Sequence, residues 1–400
     1  MKIVLTEIGK CKKKIMSRSQ INYMGIRAVV VGGSLAGLSS ALALRCVNCD
    51  VDVFERSRGA MKSRGAGLVV QMELIDFLKE HGIVAEEAIS IPAYKRQYLS
   101  QDGTIQWEEQ TLQRMTSWDT LYRQLRNALP DNLYHQGKRL TSFEQNKDYV
   151  VAEFEDGNSE RCDLLVGADG PSSTVRQQLL PDVFPRYAGY VAWRGVIDEN
   201  KVPIDIAQFF ANKFTFFHGR NTQILCYLIP GSTGELSEGK RRLNWVWYVN
   251  VSAGNKLQSL LTDRYGKQRE FSVPQGMVRD DFVQQQKRIA ERILPTVFGQ
   301  LVAQTNEPFI QTIYDLSVPR MAFGRVCILG DAAFVPRPHT AAGLSKAATN
   351  AVALANSIAN SSNVDVVKAL KRWEPHQIEL GNNLKYLGIS LGNRSQFNQI

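Results

Sequence analysis

Val29-Val30-Val31-Gly32-Gly33-Ser34-Leu35-Ala36-Gly37-Leu38 is an apolar run cut by two glycines and continued by small residues at helical spacing. A second apolar run closes on Glu55-Arg56. That order predicts a strand, a tight turn and a helix whose N-terminus can hold a pyrophosphate, then a second strand ending in an acid that can reach a ribose. Gly32 suits the unusual backbone angles of the turn. Gly37 permits close approach of helix and strand. The freed N–H groups around Leu35, with the helix dipole, favour phosphate oxygens. Gly32 and Glu55 stand 23 positions apart, near the spacing of about 20 that this arrangement uses. Ser34 occupies the middle position of G-x-G-x-x-G, where its small hydroxyl side chain can donate to phosphate.

The chain has 400 residues, of which 44% are hydrophobic. That suits two or three domains, or one bilobal unit with a sizeable core. No segment approaches the roughly 18 unbroken apolar residues of a membrane helix, so the expected location is soluble and cytoplasmic. Six cysteines are too few for a disulfide scaffold, and Cys46 and Cys49 read as packing and loop residues. The net charge is +9, yet residues 1–23 carry six basic side chains against Glu7. They read as a basic, disordered extension, with Met24 as an alternative start. No stripe of Lys/Arg interleaved with aromatics follows, which argues against a nucleic-acid partner.

Periodicity places helices over 35–47, 71–81 (Met72, Ile75 and Leu78 inward), 118–129, 282–303 and 343–360, with strands at 51–54, 164–167 and 326–329. Strand patterns near 138–144 and 149–154 take Asp156-Gly157-Asn158 as their turn signal. Residues 188–251 are rich in aromatic and β-branched side chains and read as an antiparallel sheet. The fold class is therefore α/β: a Rossmann-like unit (24–95, 117–180 and 315–400) interleaved with a β-rich unit (96–116 and 181–314) and closed by C-terminal helices. A cleft between the two lobes is the expected site.

Two further motifs stand at the ends of buried strands: Asp169-Gly170-Pro171-Ser172-Ser173-Thr174-Val175-Arg176, and Gly330-Asp331-Ala332-Ala333 with Pro336, Pro338 and Gly343 beyond it. With the glycine turn and Glu55, these resemble the FAD-dependent aromatic hydroxylases, single-component flavoprotein monooxygenases related to para-hydroxybenzoate hydroxylase. The likeness covers nearly all of residues 24–395. Gly189-Tyr190-Val191-Ala192-Trp193-Arg194-Gly195, Asn244 to Tyr248 and Phe334 to His339 resemble most closely the 2,6-dihydroxypyridine 3-monooxygenase branch.

The resemblance implies FAD as cofactor and NADH or NADPH as a transient co-substrate, with no second dinucleotide fold. It also implies O2 and a small electron-rich aromatic ring as substrates, hydroxylated through a flavin C4a-hydroperoxide. By the same resemblance, Glu55 would hold the adenosine ribose, Arg56 would lie beside the adenine, and Gly32, Ser34, Leu35 and Gly37 would form the pyrophosphate turn. Arg64 would lie along the ribityl stretch, Asp169 near the pyrophosphate, and Asp331 would accept from a ribityl hydroxyl. His339 is the candidate catalytic base, and Tyr190, Arg194, Tyr227 and Tyr248 are candidate pocket residues. His218 reads as an exposed strand end. Where many relatives have His after G-D-A-A, Arg or Gln near 118, and Asp near 350, this chain has Phe334, Trp118 and Asn350. Epoxidation, a larger substrate, a flavin sensor without turnover, and a homodimer all stay open.

Overall fold

The computed structural model describes residues 25–59, 66–360 and 365–398; the 1–23 extension and Arg64 lie outside them. The chain begins with β1 (Arg27–Val31), α1 (Leu35–Cys46) and β2 (Asp50–Glu55). Both strands are almost wholly buried because helices cover the two faces of a parallel sheet. Asn48 takes φ 60° at the end of α1, the left-handed stop its side chain tolerates.

Then come β3 (Gly67–Val70), α2 (Met72–Glu80), β4 (Ile91–Leu99), β5 (Ile105–Ser117) and α3 (Trp118–Ala128). In α2, Leu74, Ile75, Phe77 and Leu78 are buried. Met72, expected inward, is 63% exposed, because the first helical turn projects at the mouth of a cleft. Ser117 caps α3 by accepting from the Thr120 N–H, an interaction worth about 1 kcal/mol.

Next are β6 (Tyr134–Gln136), β7 (Leu140–Gln145), β8 (Val150–Phe154), β9 (Ser159–Cys162), β10 (Leu164–Gly167) and α4 (Thr174–Leu179). The 156–158 turn joins β8 to β9, not the pair anticipated from sequence, and β7-β8-β9 make a small separate sheet. The β-rich region holds β11 (Arg186–Asp198), α5 (Ile204–Phe210), β12 (Lys213–Gly219), β13 (Thr222–Ile229), β14 (Arg242–Asn250), α6 (Asn255–Leu261) and β15 (Ser272–Val273). The helix expected over 282–303 is two, α7 (Asp280–Ile293) and α8 (Thr296–Gln304), since Pro295 cannot continue α7. The chain ends with β16 (Phe309–Asp315), β17 (Ala322–Phe323), β18 (Val326–Ile328), α9 (Gly343–Ala359) and α10 (Val366–Phe397). The expected C-terminal helices are α9 and α10; periodicity does not mark the bounds of α10, whose buried positions are spread and often Gly or Gln, with Pro375 inside.

Two sheets organise the molecule. One has the order β17-β18-β10-β1-β2-β6, parallel except for β17. The other is nine-stranded, β15-β16-β11-β14-β13-β12-β4-β5-β3, and antiparallel apart from the β12–β4 pair. The expected α/β class with an added β-rich lobe is borne out. β3 and all of β4 join the second sheet, so the chain passes between the sheets early as well as late. No described helix is long and apolar enough to cross a membrane.

Candidate active site

Three loops at the C-terminal ends of β1, β10 and β18 meet. Gly32 has φ +103°, and a Cβ there would overlap the Ala168 carbonyl and approach Asp169 Cα within 2.8 Å. A Cβ on Gly37 would overlap the Gly32 carbonyl oxygen. One on Gly330 would stand 2.8 Å from Ala36 Cβ. Arg176 crosses from the second loop to the third, donating from Nη1 to the Ala332 carbonyl (3.0 Å) and from Nη2 to the Pro171 carbonyl. The D-G-x-x-S-x-V-R pattern thus has a local logic. Asp169 Oδ2 accepts from the Thr174 and Val175 N–H groups, Ser173 caps α4 through the Arg176 N–H, and the arginine locks the loops together.

Glu55 is buried at the end of β2, its Oε2 accepting from the Gly33 N–H (2.8 Å) and its Oε1 from the Ser57 N–H (2.9 Å). Tyr134 donates to the Gly33 carbonyl. Ser34 is the N-cap residue of α1, but its hydroxyl makes no capping bond. Leu35 opens the helix, and Arg56 is exposed beside Glu55.

The G-D-A-A loop is organised by a residue that motif reading missed. Lys346, on the first turns of α9, is only 1% exposed. Its ammonium donates to the Gly330 carbonyl (3.1 Å), to the Phe334 carbonyl and to Asp331 Oδ1 (3.0 Å). Asn350 accepts from the Gly330 N–H and donates to Gln377. Asp331 is thereby pinned at the rim of a cleft of about 1710 Å³.

The nine-stranded sheet forms the cleft wall through alternate residues: Ala192 and Arg194 of β11, Val246 and Tyr248 of β14, Leu225 and Tyr227 of β13, Phe214 and Phe216 of β12. The opposite phase, with Trp193, Trp245 and Trp247, packs into a core under α5 to α8. Arg194, Tyr227 and Tyr248 therefore line the cleft, as does the exposed end-of-strand His218. Tyr190, expected on the wall, lies one layer behind it, fully buried, with its hydroxyl 3.0 Å from His339 Nε2.

His339 sits on the cleft between β18 and α9, its ring centroid 4.3 Å from that of Tyr248. Arg337, beneath Tyr190, forms a two-point pair with Asp315. Burial first, and then the Arg337 charge, push the His339 imidazolium down to about 3. The imidazole is neutral at physiological pH, one ring nitrogen donating and the other accepting. The folded value lies below the unfolded 6.5, so the unfolded chain binds the extra proton between those limits and stability falls as pH drops through them. In H339A, thermal melting between pH 6.5 and 3 should show a shallower loss than in the parent protein; equal slopes would refute the assignment.

The site fits a flavin dinucleotide. Three glycines hold backbone where a Cβ would intrude, and a buried acid closes the second strand. Asp169 Oδ1 is buried without a protein partner among the described residues, and a polar rim opens onto an aromatic chamber. Lys346, Tyr134 and the Arg337–Asp315 pair act through tertiary contacts and carry no local motif.

Comparison with known proteins agrees. Residues 187–315 match a family model described as FAD binding domain-like. The chain is 37% identical over 363 residues to 2,6-dihydroxypyridine 3-monooxygenase of Paenarthrobacter nicotinovorans, covering 89% of this chain and 88% of that one. It is 27% identical to 6-hydroxynicotinate 3-monooxygenase of Pseudomonas fluorescens, over 83% of this chain and 82% of the relative. Among solved structures, 2,6-dihydroxypyridine-3-hydroxylase from Arthrobacter nicotinovorans superposes with a TM-score of 0.88 at 36% identity, covering 94% of each chain.

Proposed function

The chain belongs to the FAD-dependent aromatic hydroxylases, and on that premise we propose that its substrate is a small, hydroxylated N-heteroaromatic ring of the dihydroxypyridine kind. The protein is a flavin-dependent monooxygenase that hydroxylates an aromatic ring with NAD(P)H and O2. The observation that carries the finer reading is the cleft wall, where the aromatic side chains Phe214, Phe216, Tyr227 and Tyr248 stand beside the guanidinium groups of Arg96 and Arg194. A flat ring with polar substituents matches that chemistry.

Bound FAD supplies electron transfer from NAD(P)H to O2 and delivery of one oxygen atom to the ring. In our assignment Glu55 receives the ribose, Arg56 lies beside the adenine, the N–H groups at Ser34 and Leu35 face the pyrophosphate, and Asp169 stands near it. Asp331 accepts from the ribityl chain, and the nine-stranded sheet is the substrate lobe. Tyr227, Tyr248 and Phe216 exclude water from the reacting face, which guards against wasteful peroxide release. His339, neutral and braced by Tyr190, orients a ring hydroxyl by hydrogen bonding, a geometric role a neutral imidazole can fill.

The test is turnover by the purified yellow protein. 2,6-Dihydroxypyridine should stimulate NAD(P)H oxidation and yield one hydroxylated product per reductant. H339A should keep its FAD and lose roughly tenfold to a thousandfold in coupled hydroxylation, the range for losing one positioned hydrogen-bonding group. Absence of any stimulation across hydroxypyridines and phenols would reject the substrate class. Unchanged coupling in H339A would reject the histidine's role.

A further inference from the structure

The loop that leads from β18 into α9 is held from two sides. Behind it, α10 comes so close at Gly388 that a Cβ there would stand 2.9 Å from the Arg337 backbone nitrogen and 3.4 Å from Thr340 Cγ2. At its turn Ala341 has φ 53°, a left-handed conformation that strains a residue with a Cβ. Pro338 to Leu344 all line the cleft, so this turn sets both the place of His339 and the direction in which α9 leaves. On the cleft side the loop meets Gln71, at the corner between β3 and α2 and 270 positions earlier than Ala341. Gln71 Nε2 donates to the Ala341 carbonyl (3.0 Å) and the Thr340 carbonyl (3.4 Å), while its Oε1 accepts from the Ser345 hydroxyl (2.7 Å). Carbonyls only accept, so the amide nitrogen has to face them and the amide oxygen is left for the serine. One side chain thus grips the backbone at the strained turn and the first turn of the helix beyond it.

We infer that Gln71 is a positioning residue for the hydroxylation: it holds Ala341 in the left-handed turn and thereby fixes His339 and the start of α9 against the cleft. Without its two donated bonds the turn can relax toward the ordinary backbone regions. His339 then leaves its place beside Tyr248, where the ring centroids are 4.3 Å apart, and the wall over the reacting face opens to water. The other groups that brace this part of the chain act elsewhere. Thr340 donates its hydroxyl to the Arg337 carbonyl and accepts from the Ala342 N–H, both inside the loop. Arg337 and Lys346 bind Asp315 and Asp331, neither of which belongs to the turn. Solvent reaches the Gln71–Ala341 bond, so its loss should cost little overall stability; the effect lies in where the loop stands.

The inference rests on the hydroxylase reading and has a readout that needs no substrate. In the FAD-loaded protein, hydrogen exchange is followed in peptides that cover residues 338–346. Q71M should reduce their protection about tenfold, the scale of one or two modest hydrogen bonds, while peptides from β11 and β14 keep theirs. Glutamate has nearly the same shape as glutamine, but its carboxylate repels both carbonyl oxygens. Q71E should therefore lose at least as much protection as Q71M, whereas a space-filling role would leave it like the parent protein. With 2,6-dihydroxypyridine and NAD(P)H, the share of reductant lost to peroxide should rise about twofold or more in both variants. A341G in the Q71M background should return part of the lost coupling, because glycine adopts left-handed backbone without a steric penalty. FAD content and melting temperature are checked for each. Should Q71M lose its flavin, A341V replaces it; valine cannot keep the left-handed turn and must show the same loss of protection. Parental protection in Q71M, in Q71E or in that substitute overturns the proposal, as does a double variant coupled no better than Q71M. Absence of stimulation by 2,6-dihydroxypyridine in the parent protein rejects the ring class and leaves exchange to decide on Gln71.

Discussion

Gly37→Val should produce a chain that cannot retain FAD. A Cβ at this position overlaps the Gly32 carbonyl oxygen, which belongs to the turn itself. Backbone on both sides is fixed: Gly32 donates its N–H to the Phe54 carbonyl at 2.8 Å, and Ser34 accepts from the Leu38 N–H at 2.9 Å. Overpacking of side chains typically costs about 1–3 kcal/mol because side chains can yield. Here α1 must lift away from β1, so a loss of about 4 kcal/mol or more is expected. The lift also turns the first N–H groups of α1 from the position where they serve a pyrophosphate. The measurement is the flavin-to-protein absorbance ratio after desalting, together with the melting temperature. Stoichiometric flavin in G37V would show that strand and helix do not depend on this close approach.

Lys346→Met should weaken FAD binding at least tenfold while leaving the nine-stranded sheet intact. Replacing a buried ion pair by apolar groups is often neutral, because desolvation offsets attraction. That compensation fails here, since the ammonium also serves the Gly330 and Phe334 carbonyls, which remain after the substitution. The Gly330 carbonyl keeps the Phe334 N–H, but the Phe334 carbonyl loses its one described donor, a cost of about 1–3 kcal/mol for a buried acceptor, and Asp331 loses its only described ion-pair partner. The loop should relax to rehydrate these oxygens, carrying Asp331 from the cleft rim. Flavin fluorescence during titration of the apoprotein reads the affinity, and near-UV dichroism of the tryptophan-rich lobe reads the rest of the fold. Unaltered flavin affinity would contradict the assignment.

Much of the fold was legible because it rests on local rules. The strand–turn–helix at 29–38, the left-handed stop at Asn48 and the start of α9 at Gly343 each follow from side-chain size and backbone preference over a few residues. Errors arose where another element overrides periodicity. Met72 has the spacing of a core residue yet faces the cleft mouth, because the helix starts there. β9 was overlooked because its four residues, Ser159 to Cys162, lack an apolar run. The bounds of α10 carry no periodic signal, because its inward face holds Gly381, Gly388 and Gly392, which let the helix press against Phe334, Arg337 and Tyr190.

The dinucleotide turn, the two later loops and the existence of an aromatic second lobe can be read from the residues alone, since these depend on contacts within short stretches of chain. Which phase of the strands faces the cleft is set by folding, because both faces of the sheet are buried: Trp193 and Trp245 on one side, Ala192 and Tyr248 on the other. Folding alone placed Tyr190 behind His339, set Lys346 under Asp331 and turned Arg194 toward the neutral acceptors Gln311 and Gly67. Those relations join residues far apart in the chain, and their electrostatics follow from burial and neighbours that exist only after folding.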